Sequence, residues 1–303
     1  MQQTVLILGA SGKIGTHTAD AFWNAGWQVR HYDRQTNDMT AAAKGVDVIV
    51  NGLNPPNYHD WERTIPAITA QVIAAAKSSG ATIIIPGNIY NYGNHPGVLD
   101  ENTPQQAQTK KGRVRVDMES AYKDAGVPTI ILRAGNFIDP LGNGCIMSML
   151  IMREIKKGKL TAAAAPNTLQ AYAYVPDWAR AAVMLAEKRA ELAPFADIPF
   201  PGHAFTVNDR HRHVQARTGR QIKITSFPWW VMTVASPFWE LAREMREMRY
   251  LHEMPHQIGT AKFDRILPDF RATDLDAVMS SGLPADIHPD KVMHTGSQTI
   301  VTE

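Results

Sequence analysis

The feature that most constrains the fold is a regular alternation of short apolar runs and amphipathic helical patterns in the first half of the chain. The first run, 5–8 (VLIL), has no polar residue, which is typical of a strand buried on both faces of a parallel sheet. Apolar residues then recur at three- and four-residue spacing from Ile14 to Ala25, and Gly26 ends this predicted helix. The same order repeats: strands are predicted at 28–32, 46–50, 81–85 and 129–132, and helices at 65–77 and 114–125.

Strands that alternate with helices are joined by right-handed crossovers, so we predict an α/β protein with a Rossmann-type, doubly wound parallel sheet. After about residue 145 the pattern is less regular, with a helix predicted at 146–156, a strand at 172–175 and a helix at 176–191. Pro, His, Met and Trp become more frequent from residue 194. We therefore expect a Rossmann domain over 1–193 and a smaller mixed region over 194–303 on the substrate side.

Composition excludes several classes of protein. The chain has 303 residues, and 31 Lys and Arg against 29 Asp and Glu give a formal net charge of +2. This balance gives no reason to expect nucleic acid or an anionic membrane as a partner. The single Cys145 excludes a disulfide framework and a cysteine-based zinc site. With no apolar run of about 18 residues and no basic leader, we expect a soluble cytoplasmic protein; homo-oligomer formation stays open.

The segment 9–15 (GASGKIG) joins the first predicted strand to the first helix. Glycines allow a tight turn and close backbone approach there, and the helix N-terminus offers N–H groups to a pyrophosphate. The spacing is one residue longer than the G-x-G-x-x-G fingerprint, and Ile14 after Lys13 excludes a triphosphatase phosphate loop. We predict a dinucleotide site; the alternative is a glycine-rich turn without a ligand. The predicted binding residues are Gly9, Ser11, Gly12, Lys13, Ile14 and Gly15.

Asp33 follows the second predicted strand, where a carboxylate can accept hydrogen bonds from the adenosine ribose hydroxyls. Such a carboxylate favours NAD because it repels a 2′-phosphate. Arg34 has the opposite preference, since a guanidinium pairs with phosphate, although it could instead stack on the adenine ring. NAD is therefore favoured and NADP stays open. The alternative is a solvated pair of turn residues.

Three further segments extend the pattern: 83–93 (IIIPGNIYNYG), 132–137 (LRAGNF) and 174–181 (YVPDWARA). Together with the glycine loop, over roughly the first 190 residues, they resemble the extended or atypical short-chain dehydrogenases/reductases, in the NAD-dependent epimerase/dehydratase group described as nucleotide-sugar epimerase-like. The resemblance implies a bound NAD(P). It also implies that Gly135 and Asn136 lie along the nicotinamide.

The chain departs from this family at its catalytic residues. The family uses a Ser or Thr after the fourth strand and a Tyr-x-x-x-Lys pair on the next helix, in which Lys lowers the pKa of Tyr. Counted back from 92–93 (YG), the Ser/Thr position holds Asn88. If Glu119 matches the family's acidic residue, Lys111 stands in the Tyr position and Arg115 in the Lys position. The usual pair is therefore absent.

Several roles remain open for these residues. Arg115 could hold the ribose. Lys111 could act as an acid or base if burial or neighbouring arginines lowered its pKa, whereas Asn88 can form hydrogen bonds but cannot transfer a proton. Tyr92 or Tyr90 could serve as a displaced phenol. The alternative is a solvated basic start of a helix that takes no part in catalysis.

Three other patterns favour structural roles. Segment 252–256 (HEMPH) matches a zinc pattern, but Pro255 should end the helix that the pattern needs, so we expect no metal. The basic cluster 210–220 is expected to be solvated surface. Apolar residues at helical spacing from Phe238 to Leu251 predict core packing, or else a lining for the substrate cleft, and the charged residues between them predict a solvated face.

Two functional hypotheses follow. The first is an NAD(P)-dependent oxidoreductase, epimerase or dehydratase that acts on a small carbonyl or hydroxyl substrate, with a nucleotide sugar as one candidate. The second is a dinucleotide-binding sensor or regulator without turnover, because the fold alone does not separate the two.

Overall fold

A computed structural model describes residues 2–35, 38–284 and 287. Its strands are β1 (Thr4–Leu8), β2 (Gln28–His31), β3 (Val48–Asn51), β4 (Thr82–Gly87), β5 (Gly97–Leu99), β6 (Thr129–Arg133), β7 (Asn136–Ile138), β8 (Lys159–Ala162), β9 (Gln170–Tyr174), β10 (Phe195–Pro199), β11 (His203–Phe205), β12 (Lys223–Ser226) and β13 (His256–Ile258). Its α-helices are α1 (Lys13–Asn24), α2 (Met39–Ala42), α3 (Trp61–Ser79), α4 (Lys110–Asp124), α5 (Val175–Glu187), α6 (Val207–Thr218), α7 (Trp229–Ala235), α8 (Glu240–Glu247), α9 (Tyr250–Glu253), α10 (Ala261–Ile266) and α11 (Leu275–Ser280).

The main sheet has six parallel strands in the order β10-β6-β4-β3-β1-β2. Alternate residues of β1 enter different cores because successive side chains of a strand point to opposite faces. Val5 and Ile7 pack into the core that contains residues of α1 and α5, and Leu6 and Leu8 into the core that contains residues of α3 and α4. The predicted doubly wound Rossmann-type sheet is confirmed.

The strands outside the main sheet form short sheets rather than a second large one. Strands β11, β9 and β7 form one sheet, β12 pairs with β8, and β13 pairs with β5. The main sheet does not stop at the expected boundary near residue 193, because β10 (Phe195–Pro199) is its edge strand. Conversely, β7 to β9 precede residue 193 but pair outside the main sheet.

The first prediction that is wrong for the later elements is the helix at 146–156. The segment 146–156 is not one α-helix: it is a π-helical turn, Met147–Ile151, followed by a 3₁₀ turn, Ile155–Lys157. Burial of Leu150, Ile151 and Ile155 in one core sets this irregular path, which ends at Gly158 with φ 70°.

The apolar stripe from Phe238 is core only in its second half. Met248 and Leu251 are buried, but Phe238 is 94% exposed, because it lies in the turn between α7 and α8. The predicted solvated face of this segment is also wrong in part, since the carboxylates of Glu244 and Glu247 contact Lys111 of α4. Within the described residues, no helix has the length and apolar character needed to cross a membrane.

Candidate functional site

The glycine loop lies where the strand order of the main sheet reverses, between β1 and β3. In doubly wound sheets this is the edge at which ligands bind. Gly9 has φ +76°, a conformation that L side chains rarely adopt, and a Cβ on Gly15 would lie 2.2 Å from the carbonyl oxygen of Gly9. A Cβ on Gly52, after β3, would lie 3.0 Å from the carbonyl oxygen of Leu8. These glycines allow the two strand ends to pack closely.

Gly12 differs from its neighbours because it faces outward. A Cβ there would meet only the carbonyl oxygen of Gly9, at 3.3 Å. Gly12 is the N-cap of α1, and no side chain caps this helix. Ser11 is exposed beside Gly12, whereas the Ile14 side chain packs into the core, so Ile14 can serve a ligand only through its backbone. The result is an open helix N-terminus suited to an anion.

Lys13 closes one side of this crevice. Its Nζ donates a hydrogen bond to the carbonyl oxygen of Gly144 at 2.9 Å, and burial lowers the pKa of its ammonium group. His17, one turn further along α1, lies 2.9 Å from a carboxylate oxygen of Asp139, which follows β7. The segment after β7 is therefore tied to the first helix, a contact between distant parts of the chain that sequence reasoning missed.

Asp33 and Arg34 follow β2 and are both exposed. The Asp33 carboxylate accepts a hydrogen bond from the backbone N–H of Gln35 at 2.9 Å, which fixes the turn. The pair lies at the same edge of the sheet as the glycine loop, since β1 and β2 are parallel neighbours.

Lys111, which the sequence alignment with the family predicts in the tyrosine position, is buried and held by carboxylates. Its Nζ forms an ion pair with Glu244 and another with Glu247 at 2.8 Å, and its backbone N–H donates to Glu247 at 3.2 Å. Its side chain is 3% exposed. The structure thus joins the start of α4 to α8, which sequence reasoning missed because more than 130 residues separate the partners.

Arg115 lies one turn further along α4. Its Nη2 donates to the side-chain oxygen of Asn54 at 2.6 Å, and its guanidinium lies 4.6 Å from the ring centre of Trp61. Burial lowers the pKa of this group, and its buried Nε has no hydrogen-bond partner among the described residues. Arg115 is therefore a buried guanidinium with one donor unpaired, and its contact with a ribose stays a prediction.

Tyr58 and Tyr90 bring two phenols to this place. Their hydroxyl oxygens lie 3.2 Å apart, and the Lys111 Nζ lies 5.3 Å from the centre of the Tyr58 ring. Burial, reinforced by Tyr90, raises the pKa of Tyr58 well above its usual range. Tyr58 also has φ 61°, which is strained for a residue with a Cβ and is most often found near functional sites.

Asn88 positions the backbone of Tyr90, because its side-chain oxygen accepts a hydrogen bond from the Tyr90 backbone N–H at 2.9 Å. Its carbonyl oxygen accepts from Arg133 at 2.6 Å. Arg133 is 1% exposed and donates to both Glu119 and Asp197, at 2.7 and 2.6 Å. This buried ion cluster joins the ends of β6 and β10 to α4, and through Asn88 it also holds the segment after β4.

Tyr92 belongs to that ion cluster rather than to the phenol pair. Its hydroxyl donates to the carbonyl oxygen of Asp100 at 3.0 Å, and Arg133 lies 5.2 Å from its ring centre. Its side chain is buried. A direct catalytic role for Tyr92 therefore has no support in this arrangement.

Gly135 and Asn136 have different surroundings. A Cβ on Gly135 would lie 2.4 Å from the carbonyl oxygen of Ala171, so this glycine permits close packing of the main sheet on β9. Asn136 is half-buried and lines a small cavity of about 30 Å³ together with Tyr172 and His252. Asn136 thus borders a cavity shared with β9 and α9, and its place along a nicotinamide stays a prediction.

The remaining patterns have structural surroundings. Helix α9 ends at Glu253, before Pro255, as predicted, and within residues 2–35, 38–284 and 287 no group of three or more His, Cys, Asp or Glu is placed to hold a metal ion. The prediction of a solvated basic cluster is wrong for Arg210. Its guanidinium is buried because α6 packs on α11, where it donates to the carbonyl oxygens of Val278 and Ser281 at 3.3 and 3.0 Å.

Comparison with known proteins gives structural relatives only. The UDP-glucose 4-epimerase from Brucella ovis in complex with NAD is 17% identical with a TM-score of 0.72, over 92% of this chain and 97% of that one. The UDP-glucuronic acid 4-epimerase from Bacillus cereus, in complex with UDP-glucuronic acid and NAD, is 14% identical with a TM-score of 0.71, over 92% and 97%. MoeE5 in complex with UDP-glucose and NAD is 16% identical with a TM-score of 0.72, over 92% and 96%.

No protein-family model matches the chain, and no curated protein matches it in sequence. The solved structures therefore show the fold: it is the Rossmann-type fold of NAD-dependent nucleotide-sugar epimerases. At this level the predicted resemblance to extended short-chain dehydrogenases/reductases is confirmed.

Proposed function

We propose that the chain binds NAD in the crevice between the glycine loop and Asp33, and that it is an oxidoreductase or epimerase acting on a small hydroxyl or carbonyl substrate of the nucleotide-sugar class. The observation that supports this most directly is the uncapped N-terminus of α1, with Gly12 exposed at the reversal of strand order. A pyrophosphate would accept hydrogen bonds from those backbone N–H groups. The structural relatives crystallised with NAD support the same cofactor.

The residues around the crevice fit the other parts of NAD. Asp33 would accept hydrogen bonds from the adenosine ribose hydroxyls, which favours NAD over NADP. The unpaired Nε and the fork of Arg115 would hold the nicotinamide ribose, and Asn136 would lie beside the ring. NAD, when bound, supplies the hydride acceptor and donor, and the protein supplies orientation and a proton.

We assign the proton to the hydroxyl pair of Tyr58 and Tyr90. The pair lies beside Arg115, whose positive charge opposes the effect of burial on the pKa of Tyr58. Because burial still raises that pKa well above its usual range, the Tyr58 hydroxyl stays protonated at neutral pH and is available as a hydrogen-bond donor to a substrate oxygen. Asn88 positions Tyr90 through the backbone, and Lys111 joins α8 to α4 beside the pair.

A second candidate is a dinucleotide-binding sensor without turnover. The observation that favours it is the state of the family's tyrosine position, which holds Lys111 between two carboxylates of α8. In this alternative, α8 occupies the space where a substrate would meet the cofactor. The protein then responds to the concentration of NAD and catalyses no reaction.

One set of measurements separates the two candidates. NAD binding is measured by calorimetry, and turnover by absorbance of the nicotinamide with a panel of nucleotide sugars and small ketones. For an enzyme, Tyr90→Phe should reduce turnover about 100-fold while NAD affinity stays the same. Tyr92→Phe is the control. The Tyr92 hydroxyl donates a hydrogen bond to the Asp100 carbonyl oxygen, so this variant should keep its turnover within about threefold of the original protein. NAD binding without turnover on any substrate establishes the sensor; absence of NAD binding refutes both.

A further inference from the structure

The hairpin of α7 and α8 exposes an unusual set of large apolar side chains, here called the aromatic tip: Trp230, Val234, Phe238 and Trp239. They are 72%, 69%, 94% and 46% exposed. None of them packs into a described core cluster. Exposing apolar groups of this size to water is unfavourable, so four of them on one hairpin indicate a binding surface.

Arginines flank the aromatic tip and line a surface pocket next to it. The pocket has a volume of about 400 Å³, and its walls are Trp229 and Thr233 of α7, Arg243, Arg246 and Glu247 of α8, and Arg249. Trp229 and Thr233 lie on one side of α7, and Trp230 and Val234 on the adjoining side, since residues four apart share a helix face. The pocket and the apolar surface therefore adjoin.

The acidic and basic side chains of helix α8 face different parts of the surroundings. Helix α8 alternates acidic and basic residues, but its carboxylates are paired with the protein body: Glu240 with His59, and Glu244 and Glu247 with Lys111. Arg243, Arg246 and Arg249 are exposed. Arg243 also contacts Glu244 at 3.2 Å, and Arg249 pairs with Glu253 at 2.7 Å. The outer side of the hairpin thus carries apolar side chains at its tip and three exposed arginines behind it, two of them next to carboxylates, although the whole chain has a net charge of only +2.

We propose that the α7–α8 hairpin docks on the surface of an anionic phospholipid bilayer. The aromatic tip would enter the boundary between headgroups and acyl chains, where Trp and Phe are stabilised, and the arginines would bind lipid phosphates. A guanidinium pairs with phosphate through two hydrogen bonds, and the pocket is large enough for a headgroup phosphate.

The shape of the hairpin favours a bilayer over a second copy of the chain. A two-fold dimer through this hairpin would bring Arg243, Arg246 and Arg249 of both copies into one interface, where like charges repel. The tip also projects, as the 94% exposure of Phe238 shows, and a projecting tip needs a concave or deformable partner. A lipid interface deforms around such a tip.

The test is co-sedimentation of the full-length protein with vesicles of phosphatidylcholine alone or with about one third phosphatidylglycerol. We expect binding to the anionic vesicles that weakens as salt is raised, and little binding to the neutral ones. The variant with Trp230→Ser and Phe238→Ser should bind at least about tenfold more weakly. Trp23→Ser is the matched control, since Trp23 is 71% exposed but lies on α1.

The basic side is tested with Arg243→Gln combined with Arg246→Gln, which should weaken binding about tenfold or more. Arg153→Gln combined with Arg212→Gln removes the same charge from exposed positions elsewhere and should leave binding almost unchanged. Absence of binding to anionic vesicles, or equal binding by the tip variant, overturns the proposal. So does sedimentation velocity that shows a dimer which the tip variant dissociates, because the tip would then serve self-association.

Discussion

The crevice has two sides, called the cofactor side and the catalytic side after the function proposed above, and different kinds of contact hold them. The cofactor side is made of backbone: Gly9, Gly15 and Gly52 allow close approach of the ends of β1 and β3, and Gly12 leaves the start of α1 open. The catalytic side is made of charged and aromatic side chains from distant segments, with Lys111 held by α8 and Arg115 resting on Trp61. Local sequence suffices for the first, whereas the second requires the C-terminal region to fold onto α4.

The largest expected effect is on the ion cluster beneath the catalytic side. Arg133→Leu leaves the carboxylates of Glu119 and Asp197 without their buried partner, so the free energy of unfolding should fall by about 4 kcal/mol. Urea denaturation measures this change. A loss below about 1 kcal/mol would show that the catalytic side does not depend on this cluster.

The C-terminal region should also be sensitive to acid through His252. Burial lowers the pKa of His252 to about 4, whereas an unfolded histidine takes up a proton near pH 6.5. The unfolded chain therefore binds more protons between these values, so stability is complete above pH 6.5 and falls as the pH is lowered to 4.

Replacing this ring tests that dependence. His252→Phe should remove up to about 3 kcal/mol of the acid-induced loss, measured as the difference in unfolding free energy between pH 7 and pH 4. An unchanged difference would mean that other groups cause the acid sensitivity.

The contact of α8 with α4 should contribute less, because its carboxylates are partly exposed. Lys111→Met should lower the free energy of unfolding by about 2 kcal/mol, since Glu244 and Glu247 lose their shared cation. Lys110→Met is the control: this side chain is 65% exposed and lies 3.7 Å from Glu62, so the change should be within about 0.5 kcal/mol. Equal effects of the two variants would contradict the contrast between the two sides.

The smallest effect on stability, but a clear one on binding, is expected on the cofactor side. Gly12 has φ −85° and ψ 165°, which any residue adopts, and a Cβ there would meet one atom, the carbonyl oxygen of Gly9 at 3.3 Å, which a small shift of the loop relieves. Gly12→Val should therefore fold normally and bind NAD at least about tenfold more weakly, because the side chain blocks the pyrophosphate. Calorimetry gives the affinity and thermal unfolding the stability; unchanged affinity would place the cofactor elsewhere.

Much of the first half of the fold follows from local sequence. The apolar run 5–8 forms a strand that is buried on both faces of the sheet. The spacing of Ile14, Thr18 and Phe22 defines the inner face of α1. The positions of Gly12 and Asp33 at one sheet edge follow from the same order of elements, because parallel neighbouring strands end together. These features depend on residues close in the chain.

Only the tertiary structure decided which partners the charged and aromatic groups have. The sequence shows Lys111 at the start of a helix and alternating charges from Glu240 to Glu247, but not that α8 turns its carboxylates toward Lys111 and leaves arginines outside. It likewise does not show that Arg210 is buried or that Phe238 is exposed. Helical periodicity identifies which residues share a face; which face meets the protein depends on contacts between residues far apart in the chain.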